Sequence, residues 1–539
     1  MRKKALFMRK SGVLILLSVL VLVFSCRKEI GKPFWDTQII APLVKGTLDI
    51  NNLLPDSILQ ANADSSLKIV YNNNIYSLTM DTIFRIPDTT VFQKYSLPVQ
   101  QTLAPGTSFL PNTITNTTYQ LPDVELRTLI IKSGKVRYAI ENKIHEIVDF
   151  VYSIPSATLN GTRFSISVSV PAAVGNTPGV FNQVYDLSGY TIDLTGQLHN
   201  QVNTIYTQSS ITINPLATSS VVVNPQDSLV ITNKFFDIIP YYAKGYFGQN
   251  TFNIGHAESN FSLFKRIVGG SLQLQNVNVN FKIENPIGMD ARMNVNYLKS
   301  INTRTNNSFT LNAPSLIGPA ININRASENY PVDYPTYANF PLNSGNSNII
   351  GFVDNLPDKL DYSLKIITNP LGNLSGSNDF IYSDKLLNVS MNMEIPLSLI
   401  ANNLTLVDTL NLNVSSNNGT QNIHSGTITL FANNGFPFTA SMQIYLLNDH
   451  NTAVDSIFGY TNTIDEAPIN SSLRATSQKL TKIVIPMSES KMNALYATKK
   501  LAVKVKFNTS SQPSYIKIYS DYKLDVNLVG DINYTVHVQ

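Results

Sequence analysis

Apolar residues recur at every second position over most of this chain, and clusters of Gly, Pro, Asn and Asp punctuate the runs at intervals of roughly 8 to 15 residues. Phe164, Ile166, Val168 and Val170 form one such series; Leu387, Val389, Met391, Met393 and Ile395 form another. A period of two puts each series on one face of a strand. The pattern therefore predicts an all-β fold of tandem antiparallel β-sandwich modules. One short helix is expected near the C-terminus. Ser488 caps it, Glu489 lies in its first turn, Met492, Leu495 and Tyr496 share a face, and Lys499 and Lys500 close it.

The strongest internal signal is a repeat found by aligning three asparagines, Asn142, Asn285 and Asn434. Before them stand Val136, Tyr138 and Ile140, then Val279, Phe281 and Ile283, then Ile428, Leu430 and Ala432. Two residues beyond each asparagine lie Ile144, Ile287 and Phe436. On the return strand Phe150, Tyr152 and Ile154 correspond to Met293, Val295 and Tyr297 and to Met442, Ile444 and Leu446. Asparagine tolerates left-handed backbone geometry and bonds its own backbone, so it ends one strand and opens a turn. Residues 134–156, 277–299 and 426–448 are expected to form three superposable hairpins with apolar positions facing a core.

The N-terminus changes the picture of where the chain works. Arg2, Lys3, Lys4, Arg9 and Lys10 precede an apolar run from Val13 to Phe24, the layout of a secretory signal. The run is shorter than the roughly 20 residues a spanning helix needs. It ends at Cys26, the only cysteine, so no intramolecular disulfide can staple the fold. Removing five of the 40 Lys and Arg leaves 35 against 36 Asp and Glu, a net charge near −1. With no other basic cluster, nucleic acid is not an expected partner. The organisation read from these signals is a signal peptide over 1–25, a tether over 26–33, an N-terminal β-rich module over 34–125, and sandwich repeats over 126–245, 246–380 and 381–539, the last including C-terminal strands.

Leu22-Val23-Phe24-Ser25-Cys26 resembles the lipobox of bacterial lipoproteins, with Phe24 where that family has a small or polar residue. The resemblance implies lipid attachment at Cys26 and anchoring in the outer membrane. Phe34-Trp35-Asp36, Ala41-Pro42-Leu43, Leu53-Leu54-Pro55-Asp56-Ser57 and the segment Tyr515 to Tyr522 are similar to large Bacteroidetes lipoproteins. Arg27-Lys28-Glu29 offers a single acid, where surface-exported members of that group carry an acidic stretch, so the periplasmic face is favoured. The strand Val136 to Ile140 with Glu141-Asn142, followed by Leu159-Asn160-Gly161, resembles the β-sandwich of late-embryogenesis-abundant, water-stress type proteins. Asn285-Pro286 matches that family's Asn-Pro turn, while Lys143 and Gly435 replace the proline in the other copies. This resemblance implies a small sandwich and no chemistry.

Catalytic and metal signatures are missing from the sequence. His145, His199, His256, His424, His450 and His537 show no ligand spacing, and no zinc, EF-hand, nucleophile-elbow, Walker or dinucleotide motif is present. No cofactor or metal is expected. Trp35, nine residues past Cys26, is expected to pin the tether to the body. The terminal series Ile516, Ile518, Tyr522, Leu524, Val526 and Leu528 is expected to be a sandwich strand rather than the closing strand of a membrane barrel. The longest irregular stretch, Asn306 to Asn348, holds Glu328, Asp333, Tyr330, Tyr334 and Tyr337 and is the one place where a divergent loop is expected. The expected function is a lipid-anchored, non-catalytic cell-envelope protein that binds protein, glycan or lipid or serves a structural role. The alternative is a polysaccharide-acting hydrolase whose paired carboxylates are invisible to spacing.

Overall fold

The alternation of apolar side chains reappears as alternating burial in the computed structural model, which describes residues 34–411, 421–459, 461–496, 498 and 500–537. Among them are thirty-five strands and three short α-helices, and the ladders are antiparallel. No helix among the described residues is long and apolar enough to cross a membrane. The chain divides into two compact units. One comprises residues 1–56, 266–272 and 399–539, and the other comprises 57–265 and 273–398.

All nine aligned residues before the three asparagines are buried, from Val136 to Ala432, and so are Ile144, Ile287 and Phe436. On the return strands eight of nine are buried. The exception is Tyr297. The ladder slips between Val295 and Tyr297, and Leu298 takes the inward place at 2% exposure.

The repeat is real, but its copies are not hairpins. In the first copy Glu125–Asn142 pairs with Ser228–Tyr246 and Gly179–Asp186, whereas Val148–Leu159 pairs with Thr162–Val170 and Thr204–Ile213. In the second, Asn278–Asn285 pairs with Thr336–Leu342 and Leu387–Pro396, and Ala291–Asn302 pairs with Lys359–Thr368. In the third, Gln421–Asn434 pairs with Lys479–Met487 and Lys523–His537, and Phe438–Leu447 pairs with Lys500–Thr509. The strands flanking each asparagine never pair with each other. Each copy is an arch. In the second and third the chain passes from one sheet to another, while in the first Thr191–Asp193 pairs with both flanking strands and joins them into one sheet. Period-2 burial is the same for an arch as for a hairpin.

The asparagine side chain explains why an arch is stable. Its Oδ1 accepts the N–H two residues on, at 2.9, 3.0 and 2.9 Å from Ile144, Ile287 and Phe436. Its Nδ2 donates to the carbonyl four residues on, in Glu146, Met289 and Phe438. The bend thus satisfies its own buried backbone groups, which a hairpin would leave to the partner strand. Nδ2 also donates to a carbonyl far along the chain, in Pro171, Asn324 and Asp465. Two residues after each of these a buried alanine returns the contact. The amides of Ala173, Ala326 and Ala467 donate to the carbonyls of Ile144, Ile287 and Phe436. This second half of the motif was missed in sequence because its spacing from the asparagine varies.

Residues 34–125 do not form a module of their own. Phe34–Asp49 pairs with Lys523–His537, Leu67–Leu78 with Leu387–Pro396, Thr89–Ser96 with Ser228–Tyr246, and Ser108–Thr118 with Thr204–Ile213. They extend the sheets of the three copies, because alternation reveals which face of a strand is buried and not which strand lies beside it. The terminal series is not one strand. Ile516–Lys517 pairs with Ser398–Asn411, a turn closes from the Tyr522 N–H to the Tyr519 carbonyl, and Lys523–His537 joins Phe34–Asp49. Ile516, Ile518, Tyr522, Leu524 and Leu528 are buried.

The expected helix spans Glu489–Tyr496 with Met492 and Leu495 buried. Ser488 Oγ accepts the Lys491 N–H at 3.4 Å. Lys500 does not close the helix but opens the next strand. The two helices not anticipated, Met80–Ile83 and Ile349–Asp354, are four and six residues long, too short to impose a 3.6-residue period.

Candidate functional site

Because each arch closes on itself and on a buried alanine, the chain after that alanine is released toward the surface in every copy. The released segment differs from copy to copy. After Ala173 comes a tight turn bridged from Val174 to Thr177, and after Ala467 a turn bridged from Ile469 to Ala475. After Ala326 comes a miniature hairpin of Ser327–Asn329 and Val332–Tyr334. Its base is tied by Thr336 Oγ1, which donates to the same Asn324 carbonyl that Asn285 uses. The stretch Asn306 to Asn348, expected to be a divergent loop, contains this hairpin together with other short strands.

Glu328 and Asp333 stand directly opposite each other in the hairpin ladder. Directly opposed residues project from the same face, with Cβ atoms about 4.5 to 5.5 Å apart. That face looks inward, and each side chain is only 9% exposed. Its floor is made by two paired strands, Ser228–Tyr246 and Asp379–Tyr382, in which Tyr242 lies opposite Tyr382 and Lys244 opposite Phe380.

Glu328 Oε1 accepts from the Tyr242 hydroxyl at 2.9 Å and from Lys244 Nζ at 3.1 Å, and Oε2 accepts from the Tyr382 hydroxyl at 3.4 Å. Lys385 pairs with Asp333 and places its ammonium 4.6 Å from the Tyr382 ring centre. Burial, reinforced by the Glu328 carboxylate, pushes both tyrosine hydroxyls above their ordinary range, so they act as neutral donors. The two carboxylates and two lysines balance in charge. Together they form a clamp, charge-assisted on each side.

At the hairpin's root, Arg325 bonds Asp290 at 2.7 Å and Asp379 at 3.1 Å. Asp379 is buried and also accepts from Asn369 at 2.8 Å. Desolvation raises its carboxyl pKa despite these donors.

The clamp leaves the outer face of the hairpin to solvent. Tyr330, Val332 and Tyr334 of the hairpin are each more than half exposed, and so is Tyr337 on the following strand, Thr336–Leu342, which pairs with Asn278–Asn285. Tyr330 meets Tyr242 edge-on with ring centres 5.3 Å apart. Tyr337 carries the Lys282 ammonium 4.3 Å above its ring. Asn329 and Asn339 lie exposed on the same stretch of chain.

The structure thus brings together Glu328, Asp333 and Tyr330 from the expected stretch. It adds Tyr242, Lys244 and Tyr382, from strands whose tyrosines lie 86 and 54 residues from Glu328, and Lys385 from the turn after the second strand, none of which a spacing rule could have recruited. The proposed lipid attachment residue, Cys26, lies outside the described residues. Trp35 is 58% exposed on the strand Phe34–Asp49, so its side chain is not packed into the body, and the tether, residues 26–33, lies outside the described residues. His145, His199 and His256 contact Ala173, Asp193 and Tyr297 respectively, on separate elements. Among the described residues no three His, Cys, Asp or Glu side chains group as metal ligands.

No protein-family model matches the sequence, and no curated protein is similar to it at a significant level. Among solved structures the chain is similar to a protein of Parabacteroides distasonis ATCC 8503 assigned as secreted. The identity is 12% and the TM-score 0.25, over 55% of this chain and 90% of that one. It also aligns with infectious bursal disease virus, Gt strain, at 8% identity and a TM-score of 0.10, over 90% and 82% of the two chains. TM-scores this low do not place the chain in either fold.

Proposed function

We propose that this chain is a lipid-anchored, non-catalytic protein of the outer membrane, periplasmic in facing, that binds its ligand through the hairpin of residues 327–337. One observation carries the reading: the hairpin turns its carboxylates inward onto lysines and its tyrosines outward to solvent. A tyrosine ring offers a rigid flat face with a hydroxyl at its edge, and binding through it costs little conformational entropy. Three such rings beside exposed asparagine amides suit a neutral glycan, which stacks on rings and hydrogen-bonds to amides. The anchor is supported by the signal segment and by Cys26 at its end.

Binding of the mature protein to a glycan array tests the reading. Retained binding in the double variant Tyr334→Ala, Tyr337→Ala would overturn the assignment of this face, and failure to bind any glycan would overturn the ligand class. Metabolic labelling with a clickable fatty acid tests the anchor, and label surviving in Cys26→Ala would refute it.

The hydrolase alternative draws on one observation, the direct opposition of Glu328 and Asp333. In retaining glycosidases the two carboxyl groups stand about 5 to 5.5 Å apart. Here each faces a lysine. Turnover of a polysaccharide that disappears in Glu328→Gln would establish the enzyme and displace the binding reading.

A further inference from the structure

The strand Phe34–Asp49 stands at one edge of its sheet, followed in order by Lys523–His537, Gln421–Asn434 and Lys479–Met487. Among the described residues it pairs with Lys523–His537 alone. The far side of an edge strand offers a row of backbone N–H and C=O groups to any extended chain, and folded proteins guard such edges with lysine, proline or a bulge. The opposite edge of this sheet is guarded in that way, with Lys479, Lys482 and Pro486 all exposed. The edge strands Ser108–Thr118 and Thr336–Leu342 hold Pro111 and Pro341, and the edge strand Thr251–Asn260 breaks register between Ile254 and Ala257. Phe34–Asp49 is guarded over its second half only, by Pro42, a register break between Pro42 and Val44, and the exposed Lys45. Residues 34–41 contain no lysine, no proline and no break. Trp35, Ile39 and Ile40 are 58%, 42% and 71% exposed, so apolar side chains stand in solvent on both faces of this half.

The order of residues along this half suits it to a copy of itself. Directly opposed residues of an antiparallel pair share a face, so a strand that meets its own copy about a two-fold axis must centre on a residue. Centring on Asp36, the one charge in the stretch, sets two carboxylates against each other. Centring on Gln38 sets Asp36 against Ile40. Centres at Ile39 or Ile40 bring Pro42, and the break beside it, into the ladder. Centring on Thr37 avoids all three. Trp35 then meets Ile39 of the second copy, Asp36 meets Gln38, and Thr37 meets itself. Asp36 and Gln38 already bond Thr535 and Asp531 on the neighbouring strand, which holds both side chains along the sheet and out of the way of the apolar pair.

We propose that two copies of this chain pair antiparallel through residues 34–40, about a two-fold axis at Thr37. The contact is isologous and consumes the open edge of each copy, so it closes at a dimer, and the guarded edge at Lys479–Met487 stops further growth. A stretch this short buries less than a standard interface, so the dissociation constant is expected on the order of 10 to 100 µM. Confinement would strengthen it. Residues 26–33 lead directly into the edge, and a stretch of that length reaches up to about 26 Å. Pairing sets the two residues 34 about 20 Å apart, so one membrane can hold both copies and raise their effective concentration. That last point rests on the anchor reading; the pairing does not.

Sedimentation equilibrium of the full mature chain tests the pairing, with Cys26→Ala to keep lipid micelles out of the measurement. A monomer–dimer equilibrium is expected. Trp35 is the only tryptophan, so its emission reports this edge and should move to shorter wavelength as the dimer forms. Thr37→Lys sets like charges across the axis and should raise the dissociation constant by about 10-fold or more, and Thr37→Glu should do the same. Mixed in equal parts, the two variants should dimerise at least as tightly as the unsubstituted chain, which variants that merely misfold could not do. A chain that stays monomeric, dimerisation unchanged in Thr37→Lys, no recovery in the mixture, or oligomers growing past the dimer would each overturn the proposal. A monomer whose Trp35 emission shifts only when phosphatidylcholine vesicles are added would give the edge to the membrane and overturn it as well.

Discussion

Replacing Asn285 by alanine should cost about 3 to 5 kcal/mol of stability. The side chain is fully buried and makes three hydrogen bonds to backbone. Alanine leaves the Ile287 N–H and the Met289 and Asn324 carbonyls without that partner in a site closed to water. A buried donor or acceptor stripped of its partner costs about 1 to 3 kcal/mol. The amide should account for most of the loss, since each carbonyl keeps a second lone pair for other donors. Asn285→Asp separates the bonds from the bulk. Its oxygen still accepts from Ile287, but at neutral pH a carboxylate oxygen now faces two carbonyls, so it should be at least as damaging as alanine. Protonation restores one donor. The aspartate's pKa is therefore raised in the folded state, and the variant should gain stability as pH falls toward the unfolded value near 4. Urea denaturation gives the free energies, and hydrogen exchange at Ile287 reports the arch itself. Asn294→Ala, which removes only an exposed 3.4 Å bond, should stay within about 0.5 kcal/mol. A loss below about 1 kcal/mol in Asn285→Ala, or an aspartate variant more stable than the alanine one at pH 7, would refute the reasoning.

Asn142→Ala and Asn434→Ala should show losses of the same size, with faster exchange at Ile144 and Phe436. Phe281→Ala should cost about 3 to 5 kcal/mol in the same urea assay, as a buried aromatic truncated in a packed core. Asp354 is pushed up to about 7 by burial while accepting the Leu274 N–H at 3.0 Å. The folded state therefore holds its proton longer than the unfolded chain, and this contribution to stability is present below about pH 4 and lost as pH rises to about 7. Asp354→Asn keeps an oxygen for Leu274, so it should remove that slope and be more stable above pH 7 by about 2 kcal/mol once partial exposure is allowed for. Glu328→Gln should open the clamp and speed proteolytic cutting within 327–334, while urea denaturation of the remainder changes little.

Much of the core was legible in the sequence, because burial on alternate positions leaves a mark that does not depend on partners. Val136, Tyr138 and Ile140 could be placed inward without knowing which strands they meet. Strand pairing was not legible. Nothing in residues 67–78 announces that they pair with 387–396, more than 300 residues away. The same blindness turned an arch into a hairpin, since both put the same side chains inside. Tyr297 shows a smaller limit, as a one-residue slip reverses facing beyond it. For the candidate site, the divergent stretch and its carboxylates could be read as an interruption of the alternation. Tyr242, Lys244 and Tyr382 could not, because they are brought in by sheet pairing, nor could Lys385, which the turn after Tyr382 carries in.

The triplicated motif also explains why only one copy carries a clamp. Each arch satisfies its bend through one asparagine and one alanine amide, all inside the sandwich, so the segment leaving the alanine carries none of the hydrogen bonds that hold the bend. Lengthening such a segment costs only loop entropy, which grows slowly with length. Copies at Val174 and Ile469 remain short turns, while the second copy has room for a hairpin. A hairpin of two three-residue strands buries too little to hold itself in water. It must be fixed to something, and the charge-matched pairs of Glu328 with Lys244 and Asp333 with Lys385 do this from beneath. The consequence is directional: the inward carboxylates are engaged in holding the hairpin, and Val332 and Tyr334 on its outer face remain exposed to solvent.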